Sequence, residues 1–309
     1  MDLTATVAKM QIGIFSSTSN GTIDDIISEA KLVEQDGFFS YWMSQIFSHD
    51  ALTVLALVGR SVPRIELGTS VVPTYPRHPM MIAQQSHTVN AAIDGRLCLG
   101  IGLSHKVVIE GMMGMSFDKP VRHLREYLSI LGPLSKTQKV SFSGEVYTTH
   151  AELAIAGAKP FGIVVAALGE QMLRLTAAMA DGTLTWCTGP KTLASHVVPT
   201  IRTAAKELGR PTPRVIAALP VCVTKDVAGS RERAAKVFAI YGQLPSYRAM
   251  LDHEGVAGPA EIGIFGSASE VVDRISDLDA IGVTDFAAAE FGATPDEVAN
   301  TRAALKSLL

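Results

Sequence analysis

Three short stretches of the chain combine residue types that could do chemistry. Ser104-His105 directly follows an apolar run. An imidazole with a near-neutral pKa can hand a proton to a reacting substrate atom, or it can simply hydrogen-bond a loop carbonyl. Ala166-Ala167-Leu168-Gly169-Glu170-Gln171 joins an apolar run to a helix-period segment. Free backbone N–H groups at such a helix start suit a phosphate-bearing ligand, although the same residues also make an ordinary strand-to-helix turn. In Leu99-Gly100-Ile101-Gly102-Leu103, two glycines either let a flat group approach the backbone or relieve packing at a strand end.

Other chemistries lack their residues. No H-E-x-x-H occurs, and His78 and His87 are too far apart for one helical face, so no metal site is expected. There is no G-x-S-x-G elbow and no Walker A loop. The dinucleotide fingerprint is half present, because Gly100-Ile101-Gly102 continues as Leu103, Ser104 and His105 without the third glycine.

The elements that must position these residues follow from the hydrophobic pattern. Of 309 residues, 47% are hydrophobic and 18% charged, enough for a large core in one α/β unit. Short runs rich in Val, Ile and Phe alternate with helix-period segments, the signature of βαβ units. Strands are expected at 10–15, 38–42, 65–72, 97–101, 162–167, 183–187, 214–224 and 284–289. Helices are expected over 22–36, from Asp50 to Pro63, from Pro79 to Gly95, from a cap near Asp118, and from Gly169 and Pro190. A long helical region is expected over 228–254. Capping boxes Ser267/Glu270 and Thr294/Glu297 open the last two helices. The stretch 139–160 breaks the rhythm and reads as a loop or hairpin, and 255–266 as a Gly- and Pro-containing connection. The expectation is a single (β/α)8 TIM barrel domain over residues 1–309. It has an insertion after strand 4 and an extended helical region before strand 8.

The net charge of −3 and the absence of a Lys/Arg-rich run argue against nucleic acid as a partner. No stretch of 18 apolar residues suggests a membrane span, and Met1–Lys9 lacks signal-peptide features. Cys98, Cys187 and Cys222 are widely spaced in apolar runs, which suits reduced, packed thiols and a cytoplasmic protein. The expected partner is a small-molecule substrate. In a barrel, functional groups gather at the strand ends. Polar residues there include Ser16, Ser17, Ser44, Gln45, Thr74, Tyr75, Arg77, His78, Ser104, His105, Glu170, Thr188 and Glu290.

The order Gly37-Phe38-x-x-x-Trp42, Leu67-Gly68-Thr69-Ser70-Val71-Val72, Arg77-His78-Pro79 and Asp94-Gly95-Arg96-Leu97-x-Leu99-Gly100-Ile101-Gly102 resembles the luciferase-like flavin and deazaflavin oxidoreductases. Gly169-Glu170-Gln171-Met172-Leu173, Ala180-Asp181-Gly182 and Phe265-Gly266-Ser267 with Glu270 extend the resemblance over almost the whole chain. It is most similar to the branch using coenzyme F-420, a phosphate-bearing deazaflavin with an oligoglutamate tail. That resemblance implies ring contacts at Ile101, Gly102 and Leu103, phosphate contacts at Gly169, Glu170 and Gln171, and a non-proline cis peptide between Ser70 and Val71 against one ring face. It also implies a homodimer through the second and third helices, where Leu55, Leu57 and Val58 would form an apolar patch.

The chain departs from that family in two places. Trp42 is followed by Met43-Ser44-Gln45 rather than an ionisable pair, and Leu103 stands where some relatives carry Glu. Sugar-phosphate dehydrogenase activity is therefore not expected. Ser44 and Gln45 remain polar candidates, and His105, His78 and His49 remain for proton transfer, with His105 foremost; His78 could instead brace a helix start. Arg77, Lys106 and Lys191 either meet an acidic tail or are solvated surface residues. Trp42, Phe47, Tyr75, Met112, Met113 and Trp186 would line an apolar substrate side or pack in the core, and Gly111-Met112-Met113-Gly114-Met115 suggests a flexible lid. The implied activity is F-420-dependent hydride transfer to or from a mainly apolar substrate. The alternatives are an FMN-dependent monooxygenase and a flavin-binding protein without turnover.

Overall fold

The computed structural model describes residues 9–16 and 20–309. Ser17 and most of Met1–Lys9 thus lie outside the described residues. Eight parallel strands form the central sheet: β1 (Gln11–Phe15), β2 (Ser40–Met43), β3 (Glu66–Thr69), β4 (Leu97–Gly102), β5 (Gly162–Val165), β6 (Gly182–Trp186), β7 (Arg214–Val223) and β8 (Asp285–Glu290). Each pairs with the next. β8 returns to β1 with Gly13 opposite Ala287, which closes a (β/α)8 barrel.

Strand alternation divides the core into two layers. Tyr41, Met43, Leu97, Leu99, Ile163 and Val165 pack outward against the helices. Trp42, Cys98, Val164, Leu184, Ile216, Ala218 and Ala287 point inward and fill the barrel. Gly68 makes room for the largest of these, since a Cβ there would lie 2.2 Å from the Trp42 ring.

The helices start where capping residues dictate. Thr22 and Asp25 form a reciprocal box for α1 (Ile23–Gln35), and Asp50 caps α2 (Ala51–Ser61). His78 caps α3 (Pro79–Ala92) through Nδ1, which accepts from Met80 N–H at 3.2 Å. The cap of α4 (Pro120–Thr137) is Lys119 at φ 50°, not Asp118, and it supplies no side-chain bond. α5 (Glu170–Met179) and α6 (Val198–Glu207) follow β5 and β6. The Ser267/Glu270 box opens α7 (Ala268–Ile281). At α8 (Pro295–Lys306), Thr294 accepts from Glu297 N–H, while the Glu297 carboxylate reaches Ala293 N–H and the Thr224 hydroxyl.

Several expectations need correction. The third strand ends at Thr69 and resumes as Val72–Pro73, while the Ser70–Val71 peptide between the two parts is cis, as the family resemblance implied. The insertion 139–160, by contrast, bears out the hairpin alternative, with Lys139–Ser143 antiparallel to Thr148–Glu152. Its turn is held by Glu126, which accepts from the N–H groups of Glu145, Val146 and Tyr147. The region 228–254 is not one helix. It is helix Val227–Val237, a 3-10 turn at Ala239–Gly242 and helix Pro245–Glu254, because Pro245 suits a helix start and not an interior. The following connection includes a further parallel strand, Ile264–Gly266, added to the upper end of β7. Leu55 and Val58 are buried in the core, so of the expected patch on α2 only Leu57 is exposed. Cys98, Cys187 and Cys222 are free and buried. Among the described residues, no helix is long and apolar enough to cross a membrane.

Candidate active site

A cavity of about 1120 Å³ opens at the carboxyl ends of the strands. Its floor is the top of the barrel interior: Leu184 belongs to the inward layer, and Val71 and Trp186 pack on its edge. Ser70 and Val71, then Gly102 to His105, then Ala166, Leu168, Gly169 and Met172 supply one side. Ile240 and Gln243–Tyr247 from the broken helical region supply the other, and Val107, Glu110, Gly111 and Phe117 the outer wall. A smaller hollow of about 600 Å³, between residues such as Arg64, Arg96 and Phe161, lies at the amino ends of the strands, away from these loops.

Two features of the cavity bear on what it can hold. A Cβ at Gly102 would lie 2.7 Å from Val71 Cγ2 and 3.2 Å from Ala166 Cβ. Glycine there keeps the backbone of β4 open beside the cis peptide. At the start of α5, Gly169 offers no side-chain cap, and the first intrahelical bond runs from Leu173 N–H to Gly169 C=O at 3.0 Å. The amides of Glu170, Gln171 and Met172 precede it, and nothing lies within 4 Å of a Cβ at Gly169. Helix-start amides of this kind favour an anion through both hydrogen bonds and the helix dipole. The neighbouring helix start at Gly189–Pro190 is taken, because Glu254 accepts from Lys191 N–H at 3.1 Å and from Thr192 N–H at 2.7 Å. Lys191 therefore sits beside a helix start that already holds a carboxylate.

His105 caps the short helix Lys106–Ile109 by position only, since its side chain makes no capping bond. Burial lowers its imidazole pKa, so near neutral pH it is an uncharged hydrogen-bonding group. Its ring stands 5.8 Å from that of Tyr247 across the cavity.

The other expected residues divide clearly. Ser70, Val71, Gly102, Leu103, Gly169, His105 and Trp186 line the cavity. Ile101 is buried in the outer core beneath it. Glu170 pairs with Arg174 at 3.0 Å and Gln171 is exposed, so these two offer backbone N–H groups rather than side chains. Ser44 is half-buried beyond β2 and does not line the cavity. Gln45 braces the start of α2, accepting from Ala51 N–H at 3.0 Å and donating to Asp50 at 3.3 Å.

Arg77 is held by Asp50 and by Gln85. Burial works to raise the Asp50 pKa, but Arg77 and Thr53 overcome it and hold the carboxyl at about 2. His49 bonds Gly21 C=O at 2.8 Å, and Lys106 pairs with Glu110 at 3.6 Å. Trp42 is wholly buried one layer below the cavity, its Nε1 donating to Ser40 Oγ at 2.8 Å. Tyr75 lies behind the wall, stacked 3.8 Å from His123 and 5.0 Å from Phe117. Burial pushes the His123 pKa down to about 4. Phe47, Met112 and Met113 face solvent, so the 111–115 loop reaches the cavity only through Gly111.

Sequence reasoning missed the wall at 240–247, above all Tyr247. The available signal was the pair Tyr241 and Tyr247 flanking Pro245, which marks a helix break carrying aromatics.

A closed barrel with an apolar cavity at its strand ends, free helix-start amides and glycine-lined backbone is an architecture able to hold a cofactor. The chain belongs to the luciferase-like monooxygenase family, whose model matches residues 10–309. It is 28% identical over 294 residues to 5,10-methylenetetrahydromethanopterin reductase of Archaeoglobus fulgidus, covering 84% of this chain and 87% of that one. The fold is similar to that of the coenzyme F-420-dependent tetrahydromethanopterin reductase of Methanopyrus kandleri, with a TM-score of 0.81, 22% identity, and 98% and 99% of the two chains covered. An F-420-dependent secondary alcohol dehydrogenase solved with an F-420–acetone adduct gives a TM-score of 0.81, 18% identity, and coverage of 97% and 98%.

Proposed function

We propose that the protein is a coenzyme F-420-dependent oxidoreductase acting on a mainly apolar small organic substrate. The observation that carries this reading is a cavity, among the described residues, that sets the glycine-lined end of β4 beside the uncapped helix start at Gly169. Val71, Gly102 and Leu103 would hold the ring, and the amides of Glu170, Gln171 and Met172 at the Gly169 turn would hold the phosphate. The residues present fit that group, and the names of the relatives agree with it. When bound, a deazaflavin supplies a hydride acceptor or donor.

The chain's own residues bind, orient and exclude water. Leu103, Leu184, Ile240 and Leu244 make the remaining space apolar, and fixed orientation of two bound partners supplies much of a rate enhancement. Uncharged His105 and Tyr247, whose rings lie 5.8 Å apart, add polar groups to that space.

Parallel fluorescence titrations with F-420 and FMN test the reading. Tight F-420 binding and weak FMN binding are expected. Preferential FMN binding would replace the proposal with an FMN-dependent monooxygenase, and binding without turnover on any screened substrate would leave a flavin-binding protein. A homodimer is part of the same proposal. Light scattering at micromolar concentration should give about twice the chain mass of 32.8 kDa, and a monomer mass would refute it.

A further inference from the structure

The last three carbonyls of the turn into α5 are all taken. The Thr183 hydroxyl is shared between Val165 C=O at 2.9 Å and Ala167 C=O at 3.2 Å. His196 Nε2 lies 2.8 Å from Leu168 C=O, and Leu173 N–H donates to Gly169 C=O at 3.0 Å. A carbonyl only accepts, so the His196 proton in that bond sits on Nε2. The Gly169 N–H, by contrast, meets no acceptor among the described residues.

Leu168 and Gly169 line the cavity, and His196 does not. Their peptide is trans, so its N–H points opposite to its C=O. Holding Leu168 C=O on His196 therefore turns the Gly169 N–H away from that ring. A peptide that precedes glycine would otherwise rotate with little steric resistance, because no Cβ opposes the change in φ. His196 reaches the carbonyl from a five-residue π-helical turn, Leu193–Val197, a rare geometry. His253, from helix Pro245–Glu254, stacks on the His196 ring at 5.0 Å and 8°. The same helix brings Tyr247 to the cavity wall and Glu254 to the Gly189–Pro190 helix start.

We propose that His196 is a positioning residue for the coenzyme's phosphate. It locks the Leu168–Gly169 peptide so that the Gly169 N–H joins the amides of Glu170, Gln171 and Met172 as a further donor. His253 backs the ring and ties the lock to the helix that walls the cavity. This assignment rests on the F-420 reading. His196 lies outside the cavity, so it acts on the phosphate end through the turn and does not reach the ring end at Val71 and Gly102.

The test titrates the purified protein with two fluorescent probes, F-420 without its glutamates and the ring fragment that lacks the phosphate-bearing arm as well. The wild-type protein should bind the phosphate-bearing probe more tightly. His196→Phe keeps a flat ring against His253 but has no N–H. It should weaken the phosphate-bearing probe roughly 10-fold, the worth of a hydrogen bond to a charged group, and leave the ring fragment unchanged. His196→Gln, whose amide can donate to the same carbonyl, should recover most of that loss. His253→Ser, at an exposed position, strips the support and should give the same selective loss at roughly 2- to 3-fold. Equal losses for both probes, no loss in His196→Phe, or no recovery in His196→Gln would overturn the proposal and leave the F-420 reading standing. Should His196→Phe not fold, wild-type affinities in His253→Ser overturn it alone. No binding of either probe to the wild-type protein would sink the F-420 reading, and this proposal with it.

Discussion

Gly169→Asp is expected to remove F-420 binding while leaving the protein as stable as before or more so. Gly169 occupies the N-cap of α5 at φ −73°, ψ 152°, a conformation open to any residue, and nothing lies within 4 Å of its added Cβ. Aspartate at such a position accepts from the amides two and three residues on, and it interacts well with the helix dipole. It also restricts the unfolded chain. Together these effects should stabilise by about 0.5–1.5 kcal/mol. The same carboxylate would occupy the amides that a phosphate needs and repel the phosphate itself. Losing two hydrogen bonds to a charged group costs about 3 kcal/mol or more, which is 100-fold or more in affinity. A fluorescence titration and a thermal melt on the same preparation check both halves. An affinity for F-420 within about 3-fold of wild type would mean that the helix start is not the phosphate site.

The legibility of this site in the sequence followed the physics of each signal. Helix starts were readable because a cap is a local event: Asp50, Ser267 and the Gly169 turn announce themselves within four residues. The strands were readable because their inward and outward faces are both apolar, as in Val164 and its neighbours Ile163 and Val165. Direction was not readable. Trp42, Tyr75 and Phe47 are all aromatics in strand-end regions, yet one plugs the barrel, one stacks behind the wall and one faces solvent. A shift of one residue reverses the face on a strand, and in loops no period exists to set it. Gln45 illustrates a further limit, since its side chain is spent on the start of α2, six residues away. Tyr247 depends on the break before Pro245, where the helix pattern of 228–254 masks a change of direction. The three-residue strand Ile264–Gly266 is too short for its period to stand out from a Gly-containing connection.

The opposite end of the barrel carries the largest expected effect on stability. Arg214, at the start of β7, donates to both Glu66 oxygens at 2.9 Å and to Asp285 at 2.5 and 3.2 Å. Glu66 starts β3 and Asp285 starts β8, so one guanidinium ties the paired strands β7 and β8 to β3, with which neither pairs, across the barrel mouth. The planar fork suits this double grip. Burial tends to lower the Arg214 pKa, and the two carboxylates more than reverse that, which fixes the charge there. Arg214→Met keeps the aliphatic stem but leaves Asp285, 6% exposed at its side chain, facing Glu66 with no cation between them. Breaking such a buried pair costs about 3–5 kcal/mol, because the remaining charge is unpaid for in solvation. Urea denaturation should show that loss at neutral pH, while F-420 affinity at the other face changes little. Adding Glu66→Gln and Asp285→Asn to the Arg214→Met variant should recover part of the stability, since it removes the uncompensated charges. A loss under about 1 kcal/mol in the single variant, or no recovery in the triple variant, would show that packing, not charge, closes this end. The two faces are then separable: Arg214 sets how firmly the barrel closes, and the loops above Leu184 set what it binds.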